Sequence, residues 1–257
     1  MVEEAIFPIA LSNKERKLIT SLKFRKYREE HRSFIAEGEK VIEQLLPNFD
    51  LQLLLVHESV ELSSVSLLNK VDSRKVRTVD SKTMRSLSEL ESRHDLIALF
   101  SKKDAPQLPT SIQGLCLGLE EIQNPGNMGT LIRLCDWLGV EAIFCSKGCV
   151  DIYSPKVVQA TAGALGNVKV YEEVDFTSEL PKLFDQIIAT SMEGANYKEV
   201  ILPSKDAIII FGNEGSGIKE STLSMCTSTL SIPPATSTIS ESLNVSLSAA
   251  IILSHFV

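Results

Sequence analysis

Short apolar runs alternating with helical segments predict an α/β protein: a C-terminal domain on a mostly parallel sheet, preceded by a smaller α/β domain. Three observations carry the prediction. Runs such as Leu51-Gln52-Leu53-Leu54-Leu55-Val56 and Ile208-Ile209-Ile210-Phe211 are nearly continuous in apolar residues, as strands buried on both faces are. Segments of helical period separate these runs, and a βαβα order makes a parallel sheet. Lys102 to Ser111 holds two prolines, three charges and no apolar period, as a linker does. The expected division is residues 1–101, a linker at 102–113, and residues 114–257.

In order, Ser12 to Glu15 reads as a capping box opening a helix. That helix carries Lys14, Arg16, Lys17, Lys23, Arg25, Lys26 and Arg28, with Leu18, Ile19, Leu22 and Phe24 on its apolar side. It is either a solvated surface helix or one that contacts an RNA backbone through its cations. Ser33 to Ala36 predicts a strand, Gly38 to Leu46 a helix ending near Pro47, and Leu51 to Val56 a buried strand. Ser59 to Lys70 is read as helical, Val76 to Val79 as a strand, Ser81 to Leu90 as a helix and Asp95 to Phe100 as a strand. Past the linker, Gly114 to Leu119 is a strand, followed by a turn-rich loop from Glu120 to Thr130. A helix then runs through Leu131, Ile132, Leu134, Cys135 and Leu138 to a C-cap at Gly139. Arg133 stands among its apolar residues. Val140 to Cys145 is a strand, Ser154-Pro155 opens a helix, and Val168 to Tyr171 and Gln186 to Thr190 are strands.

The last fifty residues hold the loops of greatest chemical interest. The strand Ile208 to Phe211 breaks at once into Gly212-Asn213-Glu214-Gly215-Ser216-Gly217. Three glycines in six positions let the backbone turn sharply and approach a ligand. A second short run, Thr229 to Ile232, stops at Pro233-Pro234. After a polar loop, Ser242-Leu243-Asn244-Val245-Ser246 opens the terminal apolar segment. Loops at the carboxyl ends of such strands are where open α/β sheets bind ligands, so two adjacent loops predict one site. The spacing G-x-x-G-x-G is not a dinucleotide fingerprint, and Gly-Lys-Ser/Thr is absent, which excludes a P-loop.

Composition narrows the classes further. The 257 residues carry a net charge of −7, against nonspecific nucleic-acid binding by the chain as a whole. The charge is uneven: residues 115–257 hold 8 Lys+Arg and 16 Asp+Glu, and the first 114 hold 18 and 17. The cysteines, Cys116, Cys135, Cys145, Cys149 and Cys226, show no C-x-x-C pair. His31, His57, His94 and His255 are scattered, so no metal site is expected. Reduced thiols and the lack of a leader or a membrane-spanning run lead to a cytoplasmic expectation.

Taken in order, Asn127-x-Gly129-x-x-x-Arg133, then Gly212-Asn213-Glu214-Gly215-x-Gly217, then Ile232-Pro233 with Ser242-Leu243-Asn244-Val245-Ser246 resemble the three motifs of the SpoU (TrmH-type) RNA ribose methyltransferases of the SPOUT superfamily. Lys156 to Ala164 is similar to that family too. The first domain resembles the ribosomal-protein-like substrate-binding domain found ahead of many such enzymes, through Ala36-Glu37-Gly38-Glu39-Lys40 and, more loosely, Ser86 to Phe100.

The resemblance implies a deep trefoil knot, S-adenosyl-L-methionine bound in it, a homodimer, and a 2′-O-methylated product in RNA, ribosomal rather than transfer RNA. It implies catalytic roles for Arg133, Asn127, Glu214, Ser242 and Asn244. Thr190, Gly212, Ile232 and Leu243 match cofactor-contacting positions. One departure is visible: Pro234 to Glu241 is about two residues longer than the family's loop and lacks its Gly. The competing expectations are a transfer-RNA ribose methyltransferase, a non-catalytic RNA-binding assembly protein, and an unrelated nucleotide-binding enzyme, which the missing phosphate motifs oppose.

Overall fold

The computed structural model describes residues 9–61, 65–90, 95–202, 206–237, 239 and 242–257. Its strands are β1 (Ser33–Glu37), β2 (Leu51–His57), β3 (Val76–Val79), β4 (Leu96–Ser101), β5 (Leu115–Leu119), β6 (Ala142–Ser146), β7 (Lys169–Val174), β8 (Ile187–Asn196), β9 (Ala207–Phe211) and β10 (Ser228–Ser231). Its helices are α1 (Asn13–Ser21), α2 (Arg25–Glu30), α3 (Glu39–Leu45), α4 (Ser81–Leu87), α5 (Pro125–Leu138), α6 (Pro155–Ala160), α7 (Phe176–Leu183), α8 (Glu220–Leu223) and α9 (Val245–Phe256). Two compact units result. One joins the chain up to Asp104 with Asp151–Gly166; the other joins Ala105–Val150 with Asn167–Val257.

In the first unit, the capping box opens α1 as expected: Ser12 Oγ accepts from Glu15 N–H, and Glu15 Oε2 accepts from Ser12 N–H at 2.8 Å. The expected continuous helix to Arg28 is instead broken, because Phe24 is extended (φ −97°, ψ 133°) and caps the separate helix α2. The reason lies in Arg28, which is buried. Its Nε donates to Asp151 Oδ2 at 2.7 Å and its Nη1 donates to the Leu22 carbonyl at 2.6 Å. A straight helix would not let this guanidinium cap the end of α1 and pair with Asp151 together. The sheet order is β1-β4-β2-β3, with β4 antiparallel to β1 and β2, and β2 parallel to β3. Ile19, Leu22, Ile35, Leu53, Leu55, Met84 and Leu99 fill one face. Phe34 meets Phe49 and Tyr153, each at 5.0 Å between centroids, on an aromatic cluster that α6 helps cover. The helix expected over Ser59 to Lys70 reduces to a 3-10 turn at Ser66–Lys70, while residues 62–64 lie outside the described ones.

The second unit is a six-stranded sheet of order β10-β8-β9-β5-β6-β7 in which every neighbouring pair is parallel. The central strands β5 and β9 are buried along their whole length, which is why they read as continuous apolar runs. Strand β8 is longer than the expected Gln186 to Thr190, because it pairs with β10 twice. Ile188 and Ala189 face Ser228 and Thr229; Ala195 and Asn196 face Leu230 and Ser231. Residues 190–194 therefore have no counterpart on β10 and bow out of the sheet, a large form of β-bulge. Helix α5 packs on α9.

Among the described residues no helix is long and apolar enough to cross a membrane, and no three His, Cys, Asp or Glu side chains group to hold a metal.

Candidate active site

The register of the sheet brings three chain segments to one edge. Leu119 faces Phe211, and Ala189 faces Ile210, so the loop after β5, the bulge in β8 and the loop after β9 start side by side. Thr190 Oγ1 donates to the Ile210 carbonyl at 2.9 Å and ties the bulge to β9.

The loop after β9 folds back on itself. Asn213 and Gly217 exchange two backbone hydrogen bonds, Asn213 N–H to Gly217 O at 3.1 Å and Gly217 N–H to Asn213 O at 2.9 Å. Asn213 Oδ1 accepts from the N–H of Gly215 and Ser216, and its Nδ2 donates to the Glu121 carbonyl at 2.9 Å. Gly217 takes φ +70°, which favours glycine. Gly212 is required for another reason: a Cβ there would stand 2.3 Å from the Gly217 carbonyl carbon. Beyond the loop, Glu120 receives the Lys219 N–H at 2.8 Å and the Thr222 hydroxyl at 2.6 Å, a buried carboxylate fixing the start of α8. Lys219 Nζ bonds Glu121 Oε1, and that hydrogen bond holds its ammonium above the usual lysine range.

A cleft of about 750 Å³ opens against this loop. Thr190, Gly212, Glu214, Ile232, Ser242 and Leu243 line it, together with Ser191, Met192 and Glu193 of the bulge. Its size falls within the roughly 300–1,000 Å³ of small-molecule sites.

Beside the cleft, three side chains from separate segments form one hydrogen-bonded string. Asn124 caps α5, its Oδ1 accepting from Gly126 and Asn127 N–H, which holds Asn127 on the first turn. Asn244 caps α9 in the same way through Ser246 N–H at 2.9 Å. Asn244 Nδ2 donates to Asn127 Oδ1 at 3.0 Å, and Asn127 Nδ2 donates to Glu214 Oε1. Ser246 Oγ donates to the Asn127 carbonyl at 3.3 Å.

Of the residues singled out from sequence, the structure thus joins Asn127, Glu214 and Asn244 directly and sets Thr190, Gly212, Ile232, Ser242 and Leu243 around the cleft. Arg133 stands apart. It is exposed, forms no ion pair among the described residues, and does not line the cleft. Six residues beyond Asn127, it lies about 9 Å further along α5 and roughly 120° around it. Sequence reasoning missed Glu120, Asn124, Ser246 and the bulge. Asn124-Pro125 carried a legible N-cap signal; the bulge carried none. Pro234 and Ala235 of the long loop line the cleft, and residues 238, 240 and 241 lie outside the described ones.

Comparison with known proteins gives a consistent picture. Residues 114–254 match the SpoU rRNA methylase family, and residues 13–98 match the MRM3-like substrate binding domain. A 23S rRNA guanosine 2′-O-methyltransferase of Bacillus subtilis is 25% identical over 236 residues, covering 90% of this chain and 91% of that one. An uncharacterised tRNA/rRNA methyltransferase of Synechocystis is 34% identical over 146 residues, 54% of this chain; the match spans about half of that protein (51%). A TrmH-family RNA methyltransferase structure from Porphyromonas gingivalis superposes with a TM-score of 0.83 at 30% identity, covering 96% of this chain and 98% of that one.

Proposed function

The chain belongs to the SpoU rRNA methylase family, and from that premise we propose that it transfers a methyl group from S-adenosylmethionine to a ribose 2′-hydroxyl of ribosomal RNA. The observation that carries this reading is the string Asn244–Asn127–Glu214 set beside a cleft of cofactor size. The cleft suits the donor molecule, which an rRNA methyltransferase of Sinorhizobium meliloti with this fold binds. Its walls offer apolar side chains from Ile232 and Leu243, and backbone from the Gly212 loop. When bound, the donor supplies a sulfonium-activated methyl group.

The chain's own residues do the rest. Asn127 is held from both sides by Glu214 and Asn244, so it orients what approaches the mouth of the cleft. Positioning of this kind supplies roughly 7–11 kcal/mol when two reactants are aligned. An arginine guanidinium has five N–H donors and no acceptor, so Arg133 is a hydrogen-bond donor and not a general base. Its role in this proposal is to grip the phosphate beside the target ribose and to stabilise the developing alkoxide.

Because Arg133 stands away from the string in one chain, we assign its meeting with substrate to a homodimer. Two features support that assignment. Trp137 is 86% exposed on α5 and Leu247 is 58% exposed on α9, large apolar side chains left open on two helices that pack together. Arg133 and Trp137 are four apart and share one helix face, so a second copy on that face lies next to Arg133. The proposal includes the trefoil knot implied by the family likeness, action in the cytoplasm, and a division of labour between residues 1–101, a linker at 102–113, and a catalytic part at 114–257. Arg133, Asn127, Glu214, Ser242 and Asn244 are the proposed catalytic residues, and Thr190, Gly212, Ile232 and Leu243 the proposed cofactor contacts.

The test is methyl transfer from labelled S-adenosylmethionine to total RNA of a strain lacking the gene, set against RNA of its parent. Label entering a ribosomal RNA of the deletion strain alone is the expected result. Label in transfer RNA would correct the substrate, and intact cofactor binding without transfer to RNA or ribosomal particles would refute catalysis.

A further inference from the structure

The break between α1 and α2 leaves an unusual surface. Phe24 is 55% exposed, and no side-chain hydrogen bond caps α2 there. Its ring meets Tyr27 edge to face at 6.4 Å, and Tyr27 in turn stacks on His31 at 6.2 Å with only 12° between planes. Two lysines stand over these rings: Lys23 Nζ is 5.2 Å from the Phe24 centroid and Lys26 Nζ is 5.8 Å from that of Tyr27. Among the described residues of α2, Glu29 is paired with Lys102 and Glu30 is exposed.

A single exposed aromatic ring calls for no explanation. Three rings in series, two of them with a lysine above, do, because the combination matches one ligand chemistry. Every nucleobase has a flat π face that stacks on an aromatic side chain whatever its sequence, and its flanking phosphates are met by lysine. Duplex RNA keeps its bases stacked inside, so only an unpaired base reaches such a ring.

We propose that Phe24, backed by Tyr27 and His31, is a stacking platform for an unpaired base of the substrate RNA, with Lys23 and Lys26 engaging the phosphates on either side. The platform rests on the reading of this chain as an RNA-modifying enzyme and makes its substrate class more specific: RNA presenting a single-stranded segment. The charge balance favours RNA over a protein partner, since the lysines gain nothing from an apolar peptide. Phe24 serves the fold through its backbone, so its side chain is open to substitution.

The test measures the affinity of the full chain and its variants for a single-stranded adenylate dodecamer and for a duplex of the same length, at low salt. Phe24→Ala is expected to weaken dodecamer binding about 5- to 150-fold, the range of one lost base stack. Phe24→Trp should restore it, and Tyr27→Ala should weaken it. Duplex affinity and calorimetric S-adenosylmethionine affinity should remain at wild-type values throughout. Equal dodecamer binding by wild type and Phe24→Ala would overturn the platform, as would equal losses for dodecamer and duplex. Wild-type protein that binds the dodecamer but not S-adenosylmethionine would instead refute the methyltransferase reading and leave the platform standing.

Discussion

Replacing Gly212 by Ala tests the geometry of the cleft most directly. The added Cβ would stand 2.3 Å from the Gly217 carbon, 2.5 Å from its oxygen and 2.5 Å from Ile218 N. All three are backbone atoms, so no side-chain rotation relieves the overlap. Carbon atoms rest at about 3.5 Å, and the two arms of the loop must therefore part by roughly 1 Å. That stretches both Asn213–Gly217 hydrogen bonds, now 3.1 and 2.9 Å, beyond useful length. Each is worth about 1 kcal/mol net, and overpacking adds about 1–3 kcal/mol. A total of about 3–5 kcal/mol falls on the loop itself, equal to a roughly 150- to 5,000-fold weaker Kd for S-adenosylmethionine by calorimetry. Gly215→Ala is the control, since its Cβ would meet only Asn213 Oδ1, at an ordinary 3.5 Å; its affinity should match wild type. If Gly212→Ala bound the cofactor as tightly as Gly215→Ala, the loop would not be the cofactor's wall.

Other expected outcomes follow from the same geometry. Asn127→Ala removes two exposed side-chain hydrogen bonds and should lower kcat about 10-fold with cofactor affinity unchanged, as steady-state kinetics and calorimetry will read. Arg133→Lys should fold and bind cofactor but lose most turnover, because an ammonium lacks the planar fork; near-wild-type turnover would remove Arg133 from the mechanism. Asp151→Ala strands the buried Arg28 guanidinium, whose side chain is 4% exposed, and should cost about 3–5 kcal/mol in denaturant unfolding, with Arg28→Met/Asp151→Leu recovering much of it. For Glu15, burial pushes its pKa up, but the Ser12 N–H and hydroxyl and the Arg77 guanidinium outweigh burial and hold it below the ordinary value of 4.5. A depressed carboxyl stabilises above its unfolded pKa and loses that contribution as pH falls through the lowered one. Wild type should therefore lose more Tm between about pH 6 and pH 3 than Glu15→Gln does.

Much of the fold was legible because buried parallel strands are apolar along their whole length. Ile208 to Phe211 and Leu115 to Leu119 needed no partner information to be recognised. The bulge at 190–194 was not legible, since its existence depends on where β10 resumes pairing rather than on any periodicity of its own. Nor was the break at Phe24, where no Pro or Gly marks the end of α1. The Arg28 that bonds across the break to the Leu22 carbonyl is held by Asp151, 123 positions away. The counting of cations on that segment thus included a buried one, Arg28, that reaches no phosphate. For the site, glycine spacing foretold the tight loop, but the union of Asn127, Glu214 and Asn244 came only from the family likeness. Three residues 117 positions apart at their extremes leave no local trace of meeting.

The pairing of Arg28 with Asp151 also sets an order of events during synthesis. Ribosomes add roughly 5–20 residues per second, so α2 emerges some 6 to 25 s before its buried counter-ion exists. Over that interval the guanidinium stays hydrated, and the ring cluster of Phe34, Phe49 and Phe100 lacks Tyr153, which later packs 5.0 Å from Phe34. The amino-terminal unit is thus finished late, from material encoded between two strands of the other sheet.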